Sequence, residues 1–397
     1  MKIVHIEDFF HPEAGYQINI LPKYMVKCGH EVTIITSEME KIPELLTSFF
    51  GRENIQEKDK IYSDAYGVKI IRIPLRAYVS GRAVFTKKLF ETIRVENPDV
   101  VYVHGNDTLT GMRYLIKAKS LGYPFVMDSH MLEMASVNKF NKIYRRIYRF
   151  IFTPQIVKQE IPVIRTQDDC YVEKCLGIPL QMAPWISVGT DTLLFYPNKT
   201  QRKQFREENN IPQDAFVIIY AGKLDESKGG KLLADAMKKK FVTEKTVVCI
   251  IVGKTNGEYG KQIEETFVNS ENTVLRYPTQ TYGNLSKFYQ AADLAVFPRQ
   301  CSLSFYDVQA CGLPVVFEDN NINQSRAEYN NATVFEVGSV EKFREAILKY
   351  INMSKNDYDE MSRNAVELVK STYDYSQIVN QYMEVIDKKV KNKSKRI

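Results

Sequence analysis

The chain alternates short apolar runs with longer stretches of helical periodicity. Ile3 to Ile6, Val32 to Thr36, Val68 to Ile73, Val100 to His104, Phe125 to Asp128 and Val163 to Thr166 are largely apolar, the pattern of strands buried on both faces of a parallel sheet. Helical segments lie between them, such as Gln17 to Cys28 and Leu109 to Leu121, each followed by a glycine (Gly29, Gly122) that serves as a stop. A second series starts at Phe216 to Ala221 and continues through Val247 to Val252, Val274 to Tyr277, Leu294 to Pro298, Val315 to Phe317 and Val334 to Glu336. Gly, Pro and polar residues interrupt the periodicity between the series, which puts a linker near residues 188–202. The pattern predicts an α/β chain of two Rossmann-like, doubly wound domains facing a cleft, residues 1–190 and 200–372. Such domains bind ligands outside the carboxyl ends of their strands, so the loops after strands carry the chemistry.

Composition narrows the partners. A chain of 397 residues with 44% hydrophobic residues can bury two cores. Its 54 basic and 48 acidic residues give a formal charge of +6, which favours a phosphate-bearing ligand or an anionic membrane and does not suggest nucleic acid. Cys28, Cys170, Cys175, Cys249, Cys301 and Cys311 show no C-x-x-C spacing, so neither structural zinc nor an oxidising compartment is expected. The first residues lack the apolar core of a signal peptide, and no apolar run is long enough to span a bilayer. A cytoplasmic location is the expectation. The tail Lys389 to Ile397 reads as a solvated basic end.

Two segments carry candidate chemistry. After the run Phe216 to Ala221 comes Gly222-Lys223-Leu-Asp-Glu-Ser-Lys228-Gly229-Gly230, followed by an amphipathic stretch Lys231 to Lys240. Lysines flanking a turn at a helix start suit a diphosphate, because the helix terminus adds N–H donors and partial positive charge; alone, the same turn is equally a solvated lysine-rich loop. The second segment runs from Pro298 and Arg299 through Cys301, Ser302 and Leu303 to Asp307 and Gly312. A carboxylate on that helix can accept two hydrogen bonds from a ribose diol, and the small or apolar neighbours Ala310 to Leu313 suit a packed helix.

In this order and spacing the two segments resemble glycosyltransferase family 4, the retaining enzymes of the GT-B fold. The family's G-[RK]-L-x-x-x-K-G pattern is matched by Gly222 to Gly229, and its E-A-x-A-C-G-x-P-V-V stretch, less closely, by Asp307 to Val316. Pro12 to Gly15, Cys28 to Thr36, Asp99 to His104, and Gly189 to Asp191 with Phe195 and Pro197 extend the likeness over nearly the whole chain. The resemblance implies a nucleotide-sugar donor, UDP- or GDP-linked, whose diphosphate is held by Lys223 and Lys228. It also implies that Asp307 binds ribose, that the Gly15 loop closes over the donor, and that Gly222, Cys301, Ser302 and Leu303 contact phosphate or sugar. His130, after Val126-Met-Asp-Ser, matches a histidine near the donor sugar. His104 is read as a residue that lines the cleft, and His30 as part of a turn.

The chain also departs from the pattern. Counting eight back from Asp307, where the family has its first glutamate, gives Arg299, and the second glutamate is shortened to aspartate. Either donor contacts vary without loss of activity, or Arg299 recognises an acidic donor sugar. The run Lys139 to Phe152 interleaves basic and aromatic residues at helical spacing; it suits either an anionic membrane surface or a domain-packing helix. Asp357-Tyr-Asp359 and Asp168-Asp169 open helices rather than bind metal, and no metal or other cofactor is expected. The expected activity is transfer of a sugar to a glycan or lipid-linked glycan of the cell-surface polysaccharide type, at or near the inner face of the membrane. The alternatives are a non-catalytic partner subunit and a nucleotide-sugar epimerase. Segment 373–397 is expected to return as a helix to the first domain.

Overall fold

A computed structural model describes residues 1–42, 51–79, 81–133, 140–299 and 301–394. It divides into two compact units, Met1–Val188 with Tyr375–Ile397, and Gly189–Asp374.

In the first unit β1 (Lys2–Ile6), β2 (Glu31–Ser37) and β3 (Val68–Ile73) are followed by an antiparallel hairpin of β4 (Leu75–Val79) and β5 (Arg82–Phe85). The sheet resumes with β6 (Val100–Val103), β7 (Phe125–Ser129) and β8 (Val163–Arg165). The order β3-β2-β1-β6-β7-β8 is parallel throughout. Period-2 alternation explains β1: Val4 and Ile6 join a core with Val101, Val103, Met127 and Val163, while Ile3 and His5 face the other side and are also buried. The order reverses between β1 and β6, so a crevice opens at their carboxyl ends.

The second unit repeats this plan with β9 (Phe216–Ala221), β10 (Val247–Val252), β11 (Thr273–Tyr277), β12 (Leu294–Phe297), β13 (Val315–Glu318) and β14 (Ala332–Phe335), ordered β11-β10-β9-β12-β13-β14. Its switch point lies between β9 and β12. Both sheets have the Rossmann-like, doubly wound order that the sequence pattern predicts.

Several boundaries differ from the sequence reading. The unit boundary falls at Val188/Gly189, and helix Lys199–Glu208 already occupies part of the stretch read as linker. Helix Leu109–Lys117 stops short of Gly122, because Ser120 turns back and donates through Oγ and N to Lys117 O. The basic tail is largely ordered. Helix Tyr375–Ser394 continues through it, and Lys389 Nζ donates to the carbonyls of Gln159 (2.7 Å) and Glu160 (2.9 Å), where a helix C-terminus favours a cation. Asp357 lies inside helix Lys355–Leu368 and accepts a hydrogen bond from the capping Ser354 (2.7 Å). No helix among the described residues is long and apolar enough to cross a membrane.

Candidate active site

In the second unit the lysine-bearing turn leaves β9 at the switch point. Gly222 donates to Val252 O (3.0 Å), and its own carbonyl lies so close to Gly253 that a Cβ there would sit 1.9 Å from the oxygen. Gly253 also has φ +142°, so only glycine fits. Asp225 caps a short 3-10 turn, Glu226–Lys228, by accepting from Lys228 N, and Gly229 at φ +73° turns the chain into helix Gly230–Lys238. Lys223 is exposed, whereas Lys228 is half-buried and donates through Nζ to Cys301 O at 3.3 Å. Burial pulls the Lys228 pKa below its ordinary value, and Lys223 and Arg326 add repulsion that Asp225 opposes.

The loop after β12 meets this turn. Arg299 Nη1 donates to Glu226 O (3.0 Å), and its Cβ would be only 2.9 Å from a Cβ built on Gly229. Arg299 is therefore a brace that fixes the lysine turn to the neighbouring loop. Arg326 Nη1 donates to Ser302 O (3.0 Å), and Cys301 Sγ lies 3.3 Å from Asn320 Oδ1. Ser302 and the partly exposed Leu303 lead into helix Ser304–Ala310, where Ser304 N donates to Ser302 Oγ (3.3 Å) and Tyr306 N to Leu303 O (3.2 Å).

Asp307 differs from the sequence reading. Its side chain is buried, and Oδ1 accepts from Thr190 Oγ1 (2.6 Å) and Tyr282 Oη (2.9 Å). Burial pushes its pKa up to about 7, although those two hydrogen bonds work the other way. One oxygen of the carboxyl expected on a ribose is thus held by hydroxyls of its own unit.

The first unit gathers a second cluster at the carboxyl ends of β1, β6 and β7. Asp128 Oδ2 lies 2.9 Å from His104 Nδ1 and 3.1 Å from His130 Nε2, within ion-pair distance of both rings. Asp128 Oδ1 accepts from Gly105 N (2.7 Å). Behind His104, Nε2 faces His5 Nδ1 at 3.0 Å, and His5 Nε2 faces Met25 Sδ at 3.3 Å. In front, His130 Nδ1 faces Thr166 Oγ1 at 3.2 Å. His104 and Asp128 are buried, and the His130 side chain is 41% exposed. Desolvation alone would raise the Asp128 pKa, yet the two imidazoles hold it well below the carboxylate range. His130 shows the reverse: desolvation disfavours its charge, and Asp128 overrides this and raises the pKa. His5 stays neutral because burial and His104 both lower its pKa. Glu7, 4.0 Å from His104, is pushed up to about 7 by desolvation.

The ligand atoms of His104, Asp128 and His130 all lie within 4.8 Å of one another, the one such group among the described residues that could hold a metal ion. Gly15 belongs to this unit too, just ahead of Tyr16 and helix Gln17–Lys27. Asp8 is drawn away from the opening, accepting from Thr110 Oγ1 (3.1 Å) and from Ala83 N of the hairpin (3.2 Å). Asp169 accepts from Tyr171 N (2.6 Å), a local turn contact.

Residues 201–368 match the family model described as glycosyl transferases group 1. Among curated proteins, the D-inositol 3-phosphate glycosyltransferase of Segniliparus rotundus is 27% identical over 229 residues, covering 54% of this chain and 50% of that protein. The lipopolysaccharide 1,2-N-acetylglucosaminetransferase of Salmonella typhimurium is 22% identical over 199 residues, covering 47% and 52%. The chain thus spans about half the length of the curated relatives it matches. Among solved structures, a glycosyltransferase from Rickettsia africae superposes with a TM-score of 0.75 at 14% identity, covering 98% of this chain and 99% of that one. Anabaena HepE in complex with UDP and glucose gives 0.73 at 15%, covering 98% and 100%. At these identities the superpositions establish the fold.

In the second unit, sequence reasoning found the lysine turn and the β12 loop but missed Thr190 and Tyr282 as partners of Asp307. Outside it, reasoning named His130 but treated His104 as a bystander and passed over Glu7 and Asp128. A signal was available. Glu7, His104 and Asp128 each stand at or just beyond the carboxyl end of an apolar run, where doubly wound sheets keep their chemistry.

Proposed function

We propose that the protein is a retaining, metal-independent glycosyltransferase of family 4 type. It moves a sugar from a UDP- or GDP-linked donor to a glycan or lipid-linked glycan, as in the building of a cell-surface polysaccharide. The observation that carries this reading is the Gly222–Gly229 turn, which holds Lys228 half-buried against Cys301 O at the head of a helix. An ammonium group kept from full hydration acts strongly on a diphosphate, and a helix N-terminus adds further positive potential. Lys223 and Lys228 offset charge on the leaving nucleotide as the glycosidic bond breaks, and the phosphate oxygen so released takes the acceptor's proton on the same face. The Gly222 backbone and the N–H groups of Cys301, Ser302 and Leu303 line the phosphates, while Gly15 and His130 contact the donor sugar. Support also comes from the relatives, which are named for sugar transfer. Donor turnover by wild type and Lys228→Ala, with release of free nucleotide as the readout, tests the reading; equal turnover would end it.

A second reading, a non-catalytic partner subunit, draws on Arg299 standing where the family has an acid and on the buried Asp307. Thermal shift with a panel of nucleotides separates the two, since a subunit without a donor site shows no nucleotide-dependent rise.

A further inference from the structure

Helix Asn141–Ile151 is the most unusual surface of the first unit. Tyr148 packs inward, bonded to Asn106 Nδ2 (2.9 Å). Ile143, Ile147, Phe150 and Ile151, by contrast, are 63%, 46%, 77% and 51% exposed. At 3.6 residues per turn these four fall within an arc of about 100°. Large exposed apolar residues elsewhere in the described chain are mostly scattered, whereas here they form one stripe.

The flank of the stripe is basic. From Met134 to Gln159 the sequence has six cations, Lys139, Lys142, Arg145, Arg146, Arg149 and Lys158, and no Asp or Glu; Lys139 lies outside the described residues. Two of these cations are used by the fold. Arg149 donates through Nε to Cys175 O (3.1 Å) and through Nη2 to Lys174 O, and the Arg145 guanidinium lies 6.0 Å from the Tyr171 ring centroid. Lys142 and Arg146 remain exposed on the helix.

We infer that this outward face docks the first unit on an anionic lipid bilayer, with Ile143, Ile147 and Phe150 entering the acyl boundary and Lys142 and Arg146 on the headgroups. A water-facing helix has no use for the stripe, and none of the described residues of the first unit covers it. An apolar stripe flanked by cations with no carboxylate is complementary to an anionic interface, not to a mixed-charge protein surface. The inference deepens the acceptor side of the proposed function, since a lipid-linked acceptor lies in such a surface.

The test is co-sedimentation of the full chain with vesicles of phosphatidylcholine alone and with added phosphatidylglycerol. Wild type is expected to bind the anionic vesicles, less well as salt is raised. The variant Ile143→Ser/Ile147→Ser/Phe150→Ser and the variant Lys142→Glu/Arg146→Glu are each expected to bind about tenfold more weakly or worse. Both must keep the wild-type melting temperature and nucleotide response, which reports on the other unit and separates failure here from failure of the transferase reading. Absence of wild-type binding overturns the inference, as does unchanged binding by both variants. A wild-type dimer that the serine variant converts to monomer, without vesicle binding, assigns the stripe to a second copy and overturns it too.

Discussion

His130 Nε2 faces Asp128 Oδ2 at 3.1 Å, and the two groups move each other's pKa in opposite directions. Each favours the charged form of the other. The pair sits at the end of β7 with one member buried and the other partly open, so a charge generated in the interior is presented at the surface of the crevice.

Asp128→Asn removes that charge. In wild type His130 titrates above the ordinary histidine value of about 6.5, and its raised pKa contributes stability that is present below that value and lost as pH rises through the folded pKa. In the variant the His130 midpoint should fall relative to wild type, since desolvation is then opposed only by the more weakly acting Glu7 and Asp107. Imidazole NMR titration reads this directly, and an unmoved midpoint contradicts the pairing. The alkaline limb of the activity profile should move to lower pH in the variant.

Lys228→Ala is expected to lower kcat about 100-fold to 1000-fold, the usual cost of removing one preorganised group that meets developing charge. Lys228→Arg should recover only part, because a guanidinium does not fit the single contact to Cys301 O. Steady-state donor turnover measures both.

Asp307 has a folded pKa of about 7, above its unfolded value. The folded state therefore holds a proton that the unfolded chain releases, and stability from this group falls as pH rises from about 4 to about 7. Asp307→Asn should flatten that slope. Thermal unfolding of both proteins across this window tests it; parallel curves contradict the assignment.

Gly253→Ala places a Cβ against Gly222 O at a positive φ. The change should cost more than about 2 kcal/mol and weaken nucleotide binding together with stability. Denaturant titration and nucleotide thermal shift give the two readouts.

A chelator separates two uses of His104, Asp128 and His130. With the proposed metal-independent reaction, dialysis against 1,10-phenanthroline leaves donor turnover unchanged. Loss of turnover that zinc restores assigns the cluster to a metal ion instead.

The sequence by itself determined what local pattern can determine. Unbroken apolar runs such as Phe216 to Ala221 and Val247 to Val252 have few alternatives to buried parallel strands, and their observed bounds coincide with the reading. Gly222 to Gly230 showed a lysine turn at a helix start, because its glycines and charges act on neighbours within one turn. Only the tertiary structure decided which charges meet. His5 reaches His104, and His104 reaches Asp128, through the register of β1 on β6 and β6 on β7, which pairs His5 with Tyr102 and Val103 with Met127. Asp307 was visible on its helix, but its direction depended on Thr190, 117 residues away, and on Tyr282. The basic, aromatic helix after Lys139 was also legible, whereas which of its faces lies in water was not. Periodicity sets angles around one helix axis, but burial and charge pairing depend on what the fold brings against it.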